Sequence, residues 1–332
     1  MAKRWVQRPE GSNWGDFGED DQRGRMNLVT PERRLAAARE VREGIAFPLS
    51  LPLDVPGGDG LTKGMRKPPE LFATQLDGHE VYCTAHGGDV SSDDGVVLYL
   101  QGSTQWDSFA HMGRMFDADG DGVAEKCFYN GFRAGADIIP PESGGPCAQR
   151  LGIENLAESG AQGRGVLIDL TEIAGERPLA VGYDLLMRAI EAQRVEVRPG
   201  DFVLLNSGFD RQLLATADAP NLAALCAASA ALDGSDARLL RWIDESGLVA
   251  LCSDNLAVET LDRAWDEPGQ ETILPIHELC LFKLGIHLGE LWHLADLADW
   301  LRAHERSAFL LTAPPLRLPG AVGSPTTPIA TV

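Results

Sequence analysis

Three apolar runs in the second half of the chain restrict its fold more than any other feature. Val166-Leu167-Ile168-Asp169-Leu170, Phe202-Val203-Leu204-Leu205 and Leu248 to Cys252 have the length and composition of strands buried on both faces. Between them the pattern is helical. Tyr183 to Gln193 places Leu185, Leu186, Ala189 and Ile190 on one side. A later helix begins at Ser235-Asp236 and stops at Gly247, and the Ala- and Leu-rich segment 212–233 is expected to be mostly helical. Pro199-Gly200-Asp201 turns the chain into the second strand, and Ala308 to Thr312 reads as a further one. Strands alternating with helices specify an α/β fold.

The first half is less regular. Residues 13–28 are rich in Gly, Asp and aromatics and read as loop. Thr30-Pro31-Glu32 then opens a helix, with Thr as the cap, Pro in the first turn and Glu beside it. Leu35, Ala38 and Val41 supply its expected apolar stripe, Gly44 its end, and Ala46 to Leu53 a following strand. Residues 54–80 lack periodicity and read as a long loop, a candidate lid. His79 and His86, outside any cluster, read as surface or packing residues. With no internal repeat or shift in composition, the reading is one domain over 1–332, with a loop-helix extension over about 1–45.

Composition removes several functions. The net charge of −20, from 49 acidic and 29 basic residues, opposes nucleic-acid binding, which draws its affinity from Lys and Arg on phosphates. The six cysteines are scattered, with neither disulfide-framework nor zinc-ribbon spacing. No Gly-x-Gly-x-x-Gly or phosphate loop supports a nucleotide. The start of the sequence has no apolar signal region and no run reaches membrane-spanning length, so the expectation is a cytoplasmic protein without a membrane partner.

Chemistry concentrates in two places. The first is Gln101-Gly102-Ser103-Thr104-Gln105-Trp106-Asp107-Ser108-Phe109-Ala110-His111, after a run, Val96 to Leu100, that reads as a buried strand. Gln101, Gln105 and Asp107 share a face if the strand continues, and His111 falls four residues beyond Asp107. Polar groups in a buried strand are costly unless paired or bound to metal. The second place follows the third apolar run: Ser253-Asp254-Asn255 and Glu259, then a helix from Pro275-Ile276-His277 through Leu284, capped by Gly285. Ile286 to Leu291 reads as an extended or turning segment carrying Glu290. His277 and Glu290 are thirteen residues apart and cannot share a helix face, but the returning chain can join them. His287 and His293 flank Glu290 at three-residue steps. Such steps drift by about 60° around a helix, and Gly289 opposes a helix, so both read as structural. Asp117-Ala118-Asp119-Gly120-Asp121-Gly122 starts like a calcium loop, but Phe128 stands where the closing acid is required, which leaves a polar turn.

The first stretch resembles the cyclase family of metal-dependent hydrolases, with its His-x-Gly-Thr-His-x-Asp-x-x-x-His signature. Thr104, Asp107 and His111 match, Ser103 replaces the Gly, and Gln101 and Gln105 stand at the two His positions. The Gln-Trp-Asp variant and the Phe128-Tyr129-Asn130-Gly131 block are similar to larger members of the family. His277 and Glu290 match its C-terminal ligand positions. The resemblance implies a swivelling β/β/α domain, a homodimer or homotetramer, and one Mn²⁺ per chain, with Zn²⁺ as the alternative. The ion would be held by Asp107, His277 and Glu290, with Gln105 adding an oxygen. Gln101, Trp106, Tyr129 and Asn130 are expected to face a small-molecule substrate. The implied activity is hydrolysis of a cyclic ester or amide or an N-acyl bond. Metal lowers the pKa of water and polarises the carbonyl, and His111 serves as general base and acid. The alternatives are a non-catalytic small-molecule-binding member, favoured by Gln101 and Gln105, or a lyase or cyclase using the same metal.

Overall fold

The three apolar runs lie side by side in one sheet of the computed structural model, which describes residues 4–57, 65–174, 178–216, 221–226, 228–261 and 272–332. In chain order the strands of this sheet are β1 (Ala46–Pro48), β2 (Gln105–Asp107), β3 (Gln162–Asp169), β4 (Phe202–Asn206) and β5 (Ala250–Ser253). They are followed by β6 (His287–Glu290), β7 (Ala308–Thr312), β8 (Gly323–Pro325) and β9 (Ile329–Thr331). Their spatial order is β1-β9-β7-β3-β4-β5-β6-β2-β8. The four central strands β3 to β6 are parallel, and the flanking strands pair antiparallel.

Alternation along the central strands builds a core on each face. Val166, Ile168, Val203, Leu205, Leu251 and Leu288 point one way, toward α2 (Tyr183–Ala192) and α3 (Ala237–Glu245). Leu167, Phe202, Leu204, Ala250 and Cys252 point the other way, toward α5 (Ala295–Ala303). Truncating one of these leucines to Ala would cost roughly 2–5 kcal/mol. The helix signals act as expected. Thr30 caps α1 (Pro31–Ala38) by accepting from the Arg33 N–H, and Asp236 caps α3 through the N–H groups of Arg238 and Leu239. Helix α4 (Pro275–His277) runs on as a π-helical stretch, Glu278–Leu284, and Gly285 closes it at φ 58°. Among the described residues, no helix is long and apolar enough to cross a membrane.

Several expectations are corrected. Val96 to Leu100 is not a buried strand: among the described residues Asp94–Val97 pairs only with Glu70–Ala73, and Val96 and Val97 are 47% and 53% exposed. An apolar run gives length but not a partner, and the partner here lies inside the stretch read as loop. That stretch also contains the paired segments Gln75–Leu76 and His79–Glu80, while residues 58–64 fall outside the described residues. Helix α1 ends at Ala38 and turns Leu35 to solvent, 65% exposed, with Ala37 as its buried residue. Only Ala46–Pro48 of the expected strand joins the sheet; Leu49 still bonds to the Pro328 carbonyl, and Ser50 then bridges to Trp292 instead. Segment 212–233 carries helix at Phe209–Ala215 and Leu222–Cys226, then a short strand, Ala230–Leu232; residues 217–220 and 227 are outside the described set.

Candidate metal centre

Strands β2 and β6 are neighbours, and their register places the centre. Leu288 pairs with Asp107, Gly289 with Trp106 and Glu290 with Gln105. Cross-strand partners point to the same side, so Gln105, Asp107 and Glu290 share one face and Trp106 takes the other. His277 reaches the same point from α4. Ligand atoms of Asp107, His277 and Glu290 all lie within 4.8 Å of one another, and the three residues are buried. Nε2 of His277 stands 3.2 Å from Oε1 of Glu290, and Nε2 of His111 stands 3.8 Å from Oδ1 of Asp107. His111 is the half-open member, its side chain 26% exposed.

The hydrogen bonds make these residues a candidate cation site. Both carboxylate oxygens of Asp107 are buried without a hydrogen-bond partner, and so is Oε1 of Gln105. Gln105 donates through Nε2 to Oε2 of Glu290 at 2.7 Å, which fixes its amide. Three orphaned acceptor oxygens together are unfavourable in a dry protein interior, and a bound cation would satisfy all three. In the metal-free chain, protons partly substitute for that charge. Burial, opposed by His111 and reinforced by Glu290, pushes Asp107 up to about 6. Burial works to lower His277, but hydrogen bonds with Glu259 and Glu290 outweigh it and raise the ring to about 10.

The other predicted residues are placed differently. Trp106 is fully buried on the far face, its indole N–H donating to the Ala313 carbonyl at 2.7 Å and its ring edge-on to Trp292, so it packs the core and does not face a substrate. Asn130 is also drawn away: its Nδ2 donates to the carbonyls of Gly18, Glu19 and Asp21, and its Oδ1 accepts the Gly15 N–H. It clamps the N-terminal loop. Tyr129 is fully buried, its ring 5.1 Å from Phe109, and burial raises its hydroxyl well above the usual range. Gln101 is half-buried, its amide over Gly323, the register partner of Asp107.

His287 donates through Nδ1 to the Asp107 carbonyl at 2.9 Å, stacks on Phe109, and is lowered to about 4 by burial. His293 pairs with Asp210 at 2.8 Å. Thr104 was legible only as a match to the signature. Its hydroxyl accepts the Leu51 N–H and donates to the Leu291 carbonyl, tying β2 to the segment beyond Glu290. The acidic turn spends Asp117 on the N–H groups of Gly120 and Gly122 within its own loop.

A family model described as putative cyclase matches residues 48–260. The chain belongs to this cyclase family. A solved structure described as a novel cyclase shares 32% identity, covers 97% of each chain and has a TM-score of 0.78. Isatin hydrolase A from Labrenzia aggregata shares 16% identity over 91% of this chain and 99% of that one, at a TM-score of 0.57. Isatin hydrolase A from Ralstonia solanacearum shares 16% over 91% and 97%, at 0.56. At that identity the two hydrolases attest to the fold. No curated protein matches the sequence.

Proposed function

We propose that this cyclase-family chain is a metal-dependent hydrolase that opens a cyclic ester or amide, or cleaves an N-acyl bond, in a small substrate. The observation carrying this reading is the buried convergence of Asp107, His277 and Glu290 around oxygens that have no donor. The donor set is one imidazole, two carboxylates and a carboxamide, mostly hard oxygen, which suits a single Mn²⁺ or, as the alternative, Zn²⁺. When bound, such an ion supplies Lewis acidity toward a carbonyl and acidifies water. His111, half-open and 3.8 Å from Asp107, takes the proton of the attacking water and returns it to the leaving group. The fold shared with proteins named isatin hydrolase supports the hydrolytic assignment.

Elemental analysis of the purified chain, followed by a screen of lactones, cyclic imides and N-formyl aromatics, tests the proposal. About one Mn or Zn per chain is expected, with turnover that falls about 100-fold or more in His111→Ala while the metal remains. Gln101 and Gln105, at positions where the signature has His, favour a second reading in which the chain binds a small molecule without turning it over. Metal retention with no turnover across the screen would select that reading. Lyase or cyclase chemistry at the same site would yield products that differ from hydrolysis by one water. We further propose a homodimer or homotetramer, supported by Leu71, Phe72, Leu76 and Val90, which stand exposed on the paired segments 70–97. A monomer in sedimentation equilibrium would refute it.

A further inference from the structure

Glu259 is 3% exposed and directs both carboxylate oxygens at one short segment. Oε1 accepts the His277 backbone N–H at 2.9 Å and lies 2.9 Å from Nδ1 of the same ring. Oε2 accepts the Ile276 N–H at 3.0 Å. One carboxylate therefore fixes both the backbone and the imidazole of the histidine that reaches the candidate metal centre. Resting on the metal-centre reading, we infer that Glu259 is a positioning residue that holds His277 with its proton on Nδ1 and its Nε2 lone pair turned to the ion. A ligating imidazole needs such an outer partner, because ring orientation and tautomer are otherwise free.

The surroundings of Glu259 are built to present it. Val258, a β-branched residue, is held at φ 61°, where such residues are rarely found. The side chain of Asn255 stabilises that turn, accepting the Val258 N–H at 2.7 Å and donating to the Ala230 carbonyl at 3.2 Å. On either side of Glu259, the Leu232 N–H bonds to the Val258 carbonyl at 3.0 Å and the Thr260 N–H to the Leu232 carbonyl at 2.9 Å. Gly234 provides the space: a Cβ there would fall 2.3 Å from Oε2 of Glu259. A cap for the α4 backbone alone would not require Oε1 to be shared with the ring.

Glu259→Gln separates positioning from capping. Two N–H donors of His277 face Oε1 and the Ile276 N–H faces Oε2. A carboxamide either sets its NH₂ against Ile276 and leaves the ring a neutral oxygen, or sets it against the ring; in both cases the ring loses its charged acceptor. Gly234→Ala makes the same test by displacement, leaving the carboxylate present but pushed. The experiment titrates Mn²⁺ and Co²⁺ into chelator-stripped wild type, both variants and Asp107→Asn, with thermal melts alongside. Expected are a loss of affinity of about 10–100-fold for Glu259→Gln, a smaller loss for Gly234→Ala, and a changed visible spectrum of the Co²⁺ form in each. If Glu259→Gln does not fold, Gly234→Ala carries the test. Folded variants that bind within twofold of wild type with an unchanged Co²⁺ spectrum would overturn the positioning role alone, provided Asp107→Asn has lost binding. A wild-type chain that takes up neither ion would overturn both this role and the metal-centre reading.

Discussion

Two acidic clusters are buried at strand ends of the same sheet, and they differ in one respect. Around Asp254 and Asp210, every carboxylate oxygen has a donor. Oδ1 of Asp254 accepts the N–H and hydroxyl of Ser207, and Oδ2 accepts the Phe209 N–H. Oδ1 of Asp210 takes the Arg211 N–H, and Oδ2 takes His293 and the N–H groups of Leu294 and Ala295. In the other cluster Gln105 and His277 hold Glu290, but both oxygens of Asp107 and Oε1 of Gln105 have none. Burial raises Asp254 to about 7, with the Asp210 charge second; at Asp210 burial is overcome by His293 and the backbone donors, and its pKa is lowered. Burial and negative charge are therefore common to both clusters. Hydrogen-bond satisfaction separates the one that ties loops together from the one that fits an ion.

Substitutions should divide along that line. Asp107→Asn is expected to reduce metal affinity on the order of 1,000-fold, because a ligand charge is lost in a dry site, while its melting temperature holds or rises. A fall in melting temperature with metal affinity intact would put Asp107 in the structural class. Asp254→Ala should do the reverse. The donors of Ser207, Phe209, Asp210 and Ser253 lose their acceptor, which costs about 3 kcal/mol of stability in denaturant titration, and metal affinity stays within about twofold. Asn130→Ala belongs with the satisfied groups, so it should cost about 2 kcal/mol and leave KM unchanged; a raised KM would return Asn130 to the substrate side.

The same centre should also make metal affinity respond to pH. With Asp107 at about 6 and His277 at about 10 in the metal-free chain, an ion must displace the His277 proton throughout the range between them. Affinity should therefore rise about tenfold per pH unit between 6 and 10, and fall more steeply below 6, where Asp107 is protonated as well. Chelator competition across that range measures the slope. A flat profile would mean the ion binds elsewhere.

The cluster around Asp254 should express its protons differently, in stability. Its folded pKa lies above the ordinary carboxylate value, so the folded state holds a proton that the unfolded chain releases. The Asp254 contribution to stability is therefore present at low pH and lost as pH rises toward about 7.

The sequence by itself determined the parallel centre of the fold. Runs such as Phe202 to Leu205 are apolar at every position, and only a strand covered on both faces can bury them. It also determined helix ends at Thr30, Asp236 and Gly285, because capping chemistry is local. Blocks shared with the cyclase family marked Asp107, His277 and Glu290. Only the tertiary structure decided which polar residues have donors and which do not. Gln105 meets Glu290 across 185 positions of sequence, and Glu259 meets His277 across 18. Trp106 and Asp107 are neighbours in sequence yet face opposite sides of the sheet, and Val96, paired with Leu71 in a two-stranded ribbon, stays exposed. Periodicity and capping act within a few residues along the chain. Whether a buried oxygen finds a proton, another side chain or an ion depends on the groups that folding brings beside it.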